Sequence, residues 1–192
     1  MSRLPNLPIQ VVNRPAEKRS NYPFTEFLPQ ISSKFCAQVG ITPSPEWPVS
    51  TPSVRSFDMA DRVKNSPGSI GYVEYRYAVE SDLPQIAVLN PAGRFVETST
   101  ESMTAACNAI EEPGWNRFST SSTNAPGADC FPVARFTWIY LRFKSTESAR
   151  AAAFGNFLDW IYTDGQKFAA PRLLAAVRKK VKDLQDELFP VT

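Results

Sequence analysis

The sequence contains no histidine. Without imidazole there is no Ser-His-Asp triad, no Cys-His pair and no histidine-ligated metal site. Carboxylate or lysine chemistry survives that loss, so the absence weighs against an enzyme without deciding the matter alone. Cysteine is nearly as scarce: Cys36, Cys107 and Cys130 are widely spaced, and they form no C-x-x-C pair and no zinc framework. An odd count excludes complete internal pairing. Three thiols in small apolar niches are expected, and a disulfide between Cys107 and Cys130 stays open in an oxidising compartment. No apolar run approaches the roughly 18 residues of a membrane-spanning helix. Met1 to Gln10 lacks the charged-then-apolar pattern of a secretory signal, so the compartment stays undefined. Charge of one sign is also missing. Lys and Arg number 21 against 19 Asp and Glu, a net +2, and the longest like-charge run is Arg178-Lys179-Lys180. Neither nucleic acid nor an anionic membrane is suggested by that balance.

What the chain has in excess is proline, 17 among 192 residues or about 9%, against a usual share of about 5%. Most of it lies in the first 52 positions and in 113–132, and it marks turn-rich connections. The length suits one substantial core or two small lobes. Leu7 to Val12 reads as a short buried strand. Phe24, Phe27, Leu28, Ile31 and Phe35 fall on one helical stripe, with Pro29 predicting a kink or a late start. Residues 40–56 read as loop with Trp47 tucked against the core. Ser56 is placed to cap a helix to about Lys64, with Asp58 in its first turn.

Asn65-Ser66-Pro67-Gly68 is a turn signal before a strand over Ser69 to Glu74, and Tyr75 to Ala78 suit one helical turn. A second strand is predicted for Ile86 to Leu89, ahead of the turn Asn90-Pro91-Ala92-Gly93. Thr98 and Glu101 stand at capping-box spacing before a helix over Ser99 to Ile110. Phe131 to Phe143 is the most strand-like run. A helix follows from about Thr146 to Thr163, ended by Asp164-Gly165, and Pro171 opens a last one with Leu173, Val177, Val181, Leu184 and Leu188 on one face. Strands alternating with helices indicate an α/β fold with at least partly parallel pairing.

The run Asn65-Ser66-Pro67-Gly68-Ser69-Ile70-Gly71-Tyr72-Val73-Glu74 resembles the xxPGSIGYVE signature of the periplasmic phosphate-binding proteins, the PstS family of the type II solute-binding fold. Further pieces follow in that family's order. Residues 7–9 (LPI) and 11–14 (VVNR) look like its strand ending in arginine, and Phe24-Thr25-Glu26-Phe27-Leu28 looks like its FTDYL helix. Glu46-Trp47-Pro48-Val49 is similar to xWPVG, and Asn90, Gly93, Phe95, Val96, Glu101 and Ser102 to NxxGxFVxPSxES. Phe157-Leu158-x-Trp160 and Gly165-Gln166-Lys167-x-Ala169 are similar to FLxW and GQxxA.

The resemblance implies a periplasmic-binding-protein-like α/β fold, with one near-complete lobe plus a remnant of the other. On that reading residues 1–85 form the second-lobe-like region. Residues 86–192 form the return segment, with helices and the 131–143 strand. Family precedent lies outside the cytoplasmic membrane.

In that family the second lobe grips phosphate through RxDGSGT. Here the stretch reads Arg14-Pro15-Ala16-Glu17-Lys18-Arg19-Ser20. Arg14 matches the arginine and Ser20 stands for the final hydroxyl, with Lys18 and Arg19 as auxiliary charge. Ala16 replaces the aspartate, and long side chains replace glycines that let backbone approach an anion. The glycine-rich stretch after WPVG is likewise replaced by Ser50 to Ser56. The expectation is therefore a non-enzymatic PstS-like domain repurposed as a structural or partner-binding subunit, with weak or lost phosphate binding. The alternative is a phosphate or oxyanion receptor of an ABC-type phosphate transport system, with Arg14, Lys18, Arg19 and Ser20 at the site and inorganic phosphate as ligand. No cofactor or metal is expected, and other protein chains or self-association would cover apolar surface left by a missing half-lobe.

Other constellations read blandly. Glu111-Glu112 and Asp183 with Asp186-Glu187 sit on solvated helix faces or ends. Ser69 and Ser99 have no base nearby. Phe136, Trp138, Tyr140 and Phe143 lack the basic surroundings of a stacking platform for nucleic acid.

Overall fold

Two parallel strands organise the amino-terminal part of the chain. In the computed structural model, which describes residues 6–49, 51–110, 121–137 and 148–168, β1 (Gln10–Val12) runs beside β2 (Ser69–Gly71) with Val11 opposite Ile70. A parallel pair requires a long crossover. Here it carries α1 (Asn21–Ile31), α2 (Ser33–Gln38) and α3 (Ser56–Asn65). After β2 come α4 (Tyr75–Glu80) and an antiparallel hairpin of β3 (Val88–Leu89) and β4 (Phe95–Val96). Then follow α5 (Thr100–Asn108), α6 (Ser148–Tyr162) and a 3-10 turn over Asp164–Phe168. The described residues are thus α/β, with one parallel pair at the centre of the first region.

Val12 of β1, Phe27 of α1 and Met59 and Ala60 of α3 are buried around that pair. The close approach of α3 to the strands explains Gly71. A Cβ there would lie 3.0 Å from Val63 Cγ2 and 3.3 Å from the Val12 carbonyl oxygen. A second, smaller core joins α5 to the 121–137 segment through Ala106, Ala125, Cys130 and Ala134, with Met103 and Ile110 packed on it. The seam between this segment and α1 is polar. The Glu26 carboxylate accepts from Ser121 Oγ at 2.8 Å and Thr123 Oγ1 at 2.7 Å, and the Arg135 guanidinium lies over the Tyr22 ring.

Several sequence expectations need correction. The stripe over 24–35 is two helices, because Ser32 ends α1 and its hydroxyl caps α2 by accepting from the Phe35 N–H. Pro29 does lie inside α1, but Ile31 is exposed, while the polar Asn21 and Thr25 are buried. Ser56 does not cap α3; Arg55 holds that position without a side-chain cap. The capping box of α5 uses Ser99 and Ser102, one residue beyond Thr98 and Glu101, since both serine hydroxyls reach the other's backbone N–H.

The strands are shorter than predicted, and β4 was not anticipated. Residues 131–137 form no strand: Phe131 N–H binds the Ser102 carbonyl, and the Pro132 carbonyl accepts from Asn124 N–H. The helix before Asp164-Gly165 does end there, at Tyr162, and the two residues open a separate 3-10 turn. Cys107 and Cys130 are free thiols, each held up in pKa by burial first, so the open disulfide is not formed. Residues 138–143 and the helix from Pro171 lie outside the described residues.

Met59 is almost fully enclosed between α3 and the strand pair. Met59→Ala is expected to cost about 2–5 kcal/mol by loss of transfer energy plus the cavity left behind. Urea unfolding followed by far-ultraviolet circular dichroism measures it; a change under about 1 kcal/mol would mean that α3 is not part of the core.

Candidate functional site

Ligands of open α/β sheets gather beyond the carboxyl ends of parallel strands. At that end of β1 the chain is gripped from three sides. Asn13 forms a bridge with Pro52, its N–H donates to the Thr51 carbonyl, and the Ser53 N–H donates back to the Asn13 carbonyl. Asn13 Oδ1 also accepts from the Thr51 N–H at 3.1 Å. The short strip 51–53 thereby extends the edge of β1 and delivers Ser53 to Arg14.

Every hydrogen-bonding group of the Arg14 backbone is then used. Its N–H donates to the Tyr72 hydroxyl at 3.1 Å, and its carbonyl accepts from Trp47 Nε1 at 3.1 Å. The Tyr72 hydroxyl donates onward to Asn21 Oδ1. Asn21 Nδ2 closes the circuit on the carbonyls of Pro15, at 2.7 Å, and Ala16, at 3.2 Å. Phe24 and Trp47 pack their rings against Tyr72, which places the aromatic body in the core and its polar tip on the backbone.

The side chain of Arg14 is less completely satisfied. Arg14 is only 6% exposed, and its Nη1 donates to the Ser53 carbonyl at 3.3 Å. Its Nε–H is buried without a partner, and among the described residues no carboxylate forms an ion pair with it. Burying a charge without a counter-charge is costly, so this guanidinium is a standing attractor for an anion. Asp58 feels the Arg14 charge but is already engaged. Arg55 Nε and Nη2 donate to its two oxygens, each at 2.8 Å. That hydrogen bonding is the main reason the Asp58 carboxyl sits below its ordinary range, with burial opposing and the charges of Arg55 and Arg14 assisting. Asp58 lies in the first turn of α3, whose start has no side-chain cap. A helix amino terminus with spare N–H groups beside a buried guanidinium is an anion-binding arrangement.

Of the four residues singled out in the sequence, Arg14 alone is buried. Lys18 and Ser20 are half-buried and Arg19 is exposed. Ser20 precedes α1 but makes no capping bond. The intervening loop folds on itself, with Lys18 N–H donating to the Pro15 carbonyl, Asn21 N–H to the Lys18 carbonyl and Tyr22 N–H to the Arg19 carbonyl. Those donors are therefore spent inside the turn. Sequence reasoning missed Ser53, Asp58, Asn21 and Tyr72, although Tyr72 lies within the PGSIGYVE run. An open depression of about 570 Å³ at the start of α5 is lined by Arg94, Glu97, Glu101 and Asp129. Its carboxylates repel anions, and Arg94 is paired with Asp129 at 3.3 Å.

Burial pushes the Tyr72 phenol up to about 12, against the opposing hydrogen bond and charge of Arg14. The raised value belongs to the folded state, so the folded chain favours the protonated phenol. Its contribution to stability is complete below the ordinary value of about 10 and declines as pH rises from there towards 12. Thermal melts from pH 9 upward are expected to show a loss of stability that is smaller in Tyr72→Phe, a variant already weaker at neutral pH. Parallel pH profiles for the two proteins would contradict this assignment.

No family model matches the chain. It is 30% identical over 166 residues to the phosphate-binding protein PstS of Xylella fastidiosa (strain 9a5c), covering 86% of this chain and 46% of that protein. Proteins of the same name in Haemophilus influenzae and Pasteurella multocida are 31% and 32% identical, over 86% and 90% of this chain and 50% of each relative. The chain spans about half the length of the curated relatives it matches. At about 30% identity over 86% of its own length, the chain belongs to the PstS-like family.

Proposed function

We propose that this chain is a binding protein, not a catalyst, and that it holds an inorganic oxyanion of the phosphate class at Arg14. The observation that carries the proposal is the buried Arg14 guanidinium with an unpartnered Nε–H and, among the described residues, no carboxylate bound to it. The uncapped start of α3 supplies further donors beside it. The relatives named as phosphate-binding proteins support the same class of ligand, which favours the receptor alternative over a purely structural subunit. Exposed apolar residues such as Ile9, Ile86 and Phe95 offer surface to another chain, but no contact identifies an occupant.

The altered loop weakens the site without abolishing it. Ala16 brings no carboxylate, and the N–H groups of Lys18, Asn21 and Tyr22 are consumed locally. Lys18 and Arg19 then act through charge at a distance instead of direct ligation. Phosphate affinity is expected between about 10 µM and 1 mM, roughly −7 to −4 kcal/mol. Arg14→Met should weaken it by about 10- to 100-fold, as loss of hydrogen bonds to a charged group implies, while Arg19→Ala should change it by less than about threefold. Calorimetric titration of phosphate decides the matter. No heat at millimolar phosphate, or equal affinity in Arg14→Met, would remove the proposal.

A further inference from the structure

The β3–β4 hairpin turns its larger apolar side chains outward. Leu89 and Phe95 stand opposite each other across the strand pair, on one face, and are 48% and 72% exposed. Val88 and Val96, paired on the other face, are half-buried. Among the described residues no third strand joins the hairpin. Phe95 and Val96 also line the open depression of about 570 Å³ at the start of α5, together with Ala105. A hollow of that size accommodates a long side chain of another molecule.

The charged groups of the hollow stand on fixed backbone. The Ser102 hydroxyl donates to the Glu97 carbonyl at 2.8 Å, and the reciprocal Ser99–Ser102 bonds pin the first turn of α5, which carries Glu101. Arg94 compensates Asp129. Among the described residues no cation pairs with Glu97 or Glu101. Two uncompensated carboxylates thus lie beside an exposed aromatic ring, in a chain whose net charge is +2.

That combination selects a partner. Nucleic acid and anionic lipid are repelled by the carboxylates, and a second copy meeting this face with its own would bring the same negative charge. We propose that the hairpin face docks a segment of another protein that carries arginine next to an apolar side chain. The apolar group covers Leu89 and Phe95, and the guanidinium enters the hollow at Glu97 and Glu101. Arginine suits it better than lysine, because a planar guanidinium can lie on the Phe95 ring and still donate to carboxylates. This docking surface is independent of the oxyanion reading of Arg14.

The test is fluorescence anisotropy of a short labelled peptide of alternating leucine and arginine, titrated with the full chain in about 50 mM sodium chloride. A dissociation constant of about 0.1 to 1 mM is expected. The double variant Glu97→Gln, Glu101→Gln should weaken binding by about 5- to 20-fold, and Phe95→Ser by about fivefold. All three side chains are exposed, and circular dichroism checks that each variant stays folded. The same peptide with glutamate in place of arginine should not bind. No change in anisotropy up to about 2 mM protein would overturn the proposal. Equal binding of the glutamate peptide would also overturn it, since apolar contact alone would then be at work. So would unaltered affinity in the double variant, which would place the arginine elsewhere.

Discussion

The hydroxyl of Tyr72 is the interaction on which the rest of the first region depends. A phenol offers one donor and accepts through its lone pairs, and here both functions are used on separate stretches of chain. Accepting from the Arg14 N–H ties β2 to the end of β1, and donating to Asn21 ties both to the start of α1. Asn21 then returns to the Pro15 and Ala16 carbonyls, so the loop between β1 and α1 is fixed at both ends by side chains. No backbone ladder could do this, because the two strands are three residues each and end just before the site. The position of the Arg14 guanidinium is therefore a consequence of a side-chain network, with the aromatic faces of Phe24 and Trp47 holding the phenol in place.

That dependence explains which parts of the fold were legible in the sequence. Apolar periodicity and turn chemistry placed α3, α5, α6 and the Asn90–Gly93 turn within a residue or two, because each follows from local rules. In the turn, for example, Gly93 adopts a φ of +76 and donates to the Asn90 carbonyl. The interior of the first region is different, because much of it is polar. Asn13, Asn21, Thr25 and Ser53 are buried, and hydropathy assigns such residues to the surface. Their burial becomes tolerable only through partners far away in sequence, such as the Thr42 carbonyl that accepts from Thr25. The one-residue shift of the α5 cap has a similar origin. Serine at both positions is short enough to reach back reciprocally, so Ser102 takes the part that a glutamate at position 101 was expected to play.

The candidate site divides along the same line. Arg14 was readable because it ends a strand in a recognisable motif. The role of Ser53 was hidden in a stretch defined by the glycines it lacks, and Asp58 looked like an ordinary first-turn acid. Nothing in the order of residues says that the 51–53 strip bridges to Asn13 and lays its carbonyl against the arginine. Lys18 and Arg19 carry the charge expected of them, but backbone geometry decides whether charge near an anion becomes ligation, and the loop closes on its own carbonyls.

The replacement of glycines at 17–19 thus has a consequence beyond steric obstruction. A glycine-rich turn leaves its N–H groups available at the start of the following helix, where the helix dipole reinforces them. With Glu17, Lys18 and Arg19 in place, the turn engages the N–H groups of Lys18, Asn21 and Tyr22 on its own carbonyls, which leaves fewer donors for an anion at the start of α1. The start of α3 keeps that capacity, as its capping residue offers no side-chain acceptor. On the proposed oxyanion reading, the start of α3 and Arg14 would carry the attraction for an anion, and the start of α1 would not. Arg14 holds the 51–53 strip through the Ser53 carbonyl and Tyr72, just beyond β2, through its backbone N–H, so an anion bound at its unpartnered Nε–H would also consolidate that junction. Ligand affinity and local stability are two readings of one free energy, and the polar network around Tyr72 is what couples them.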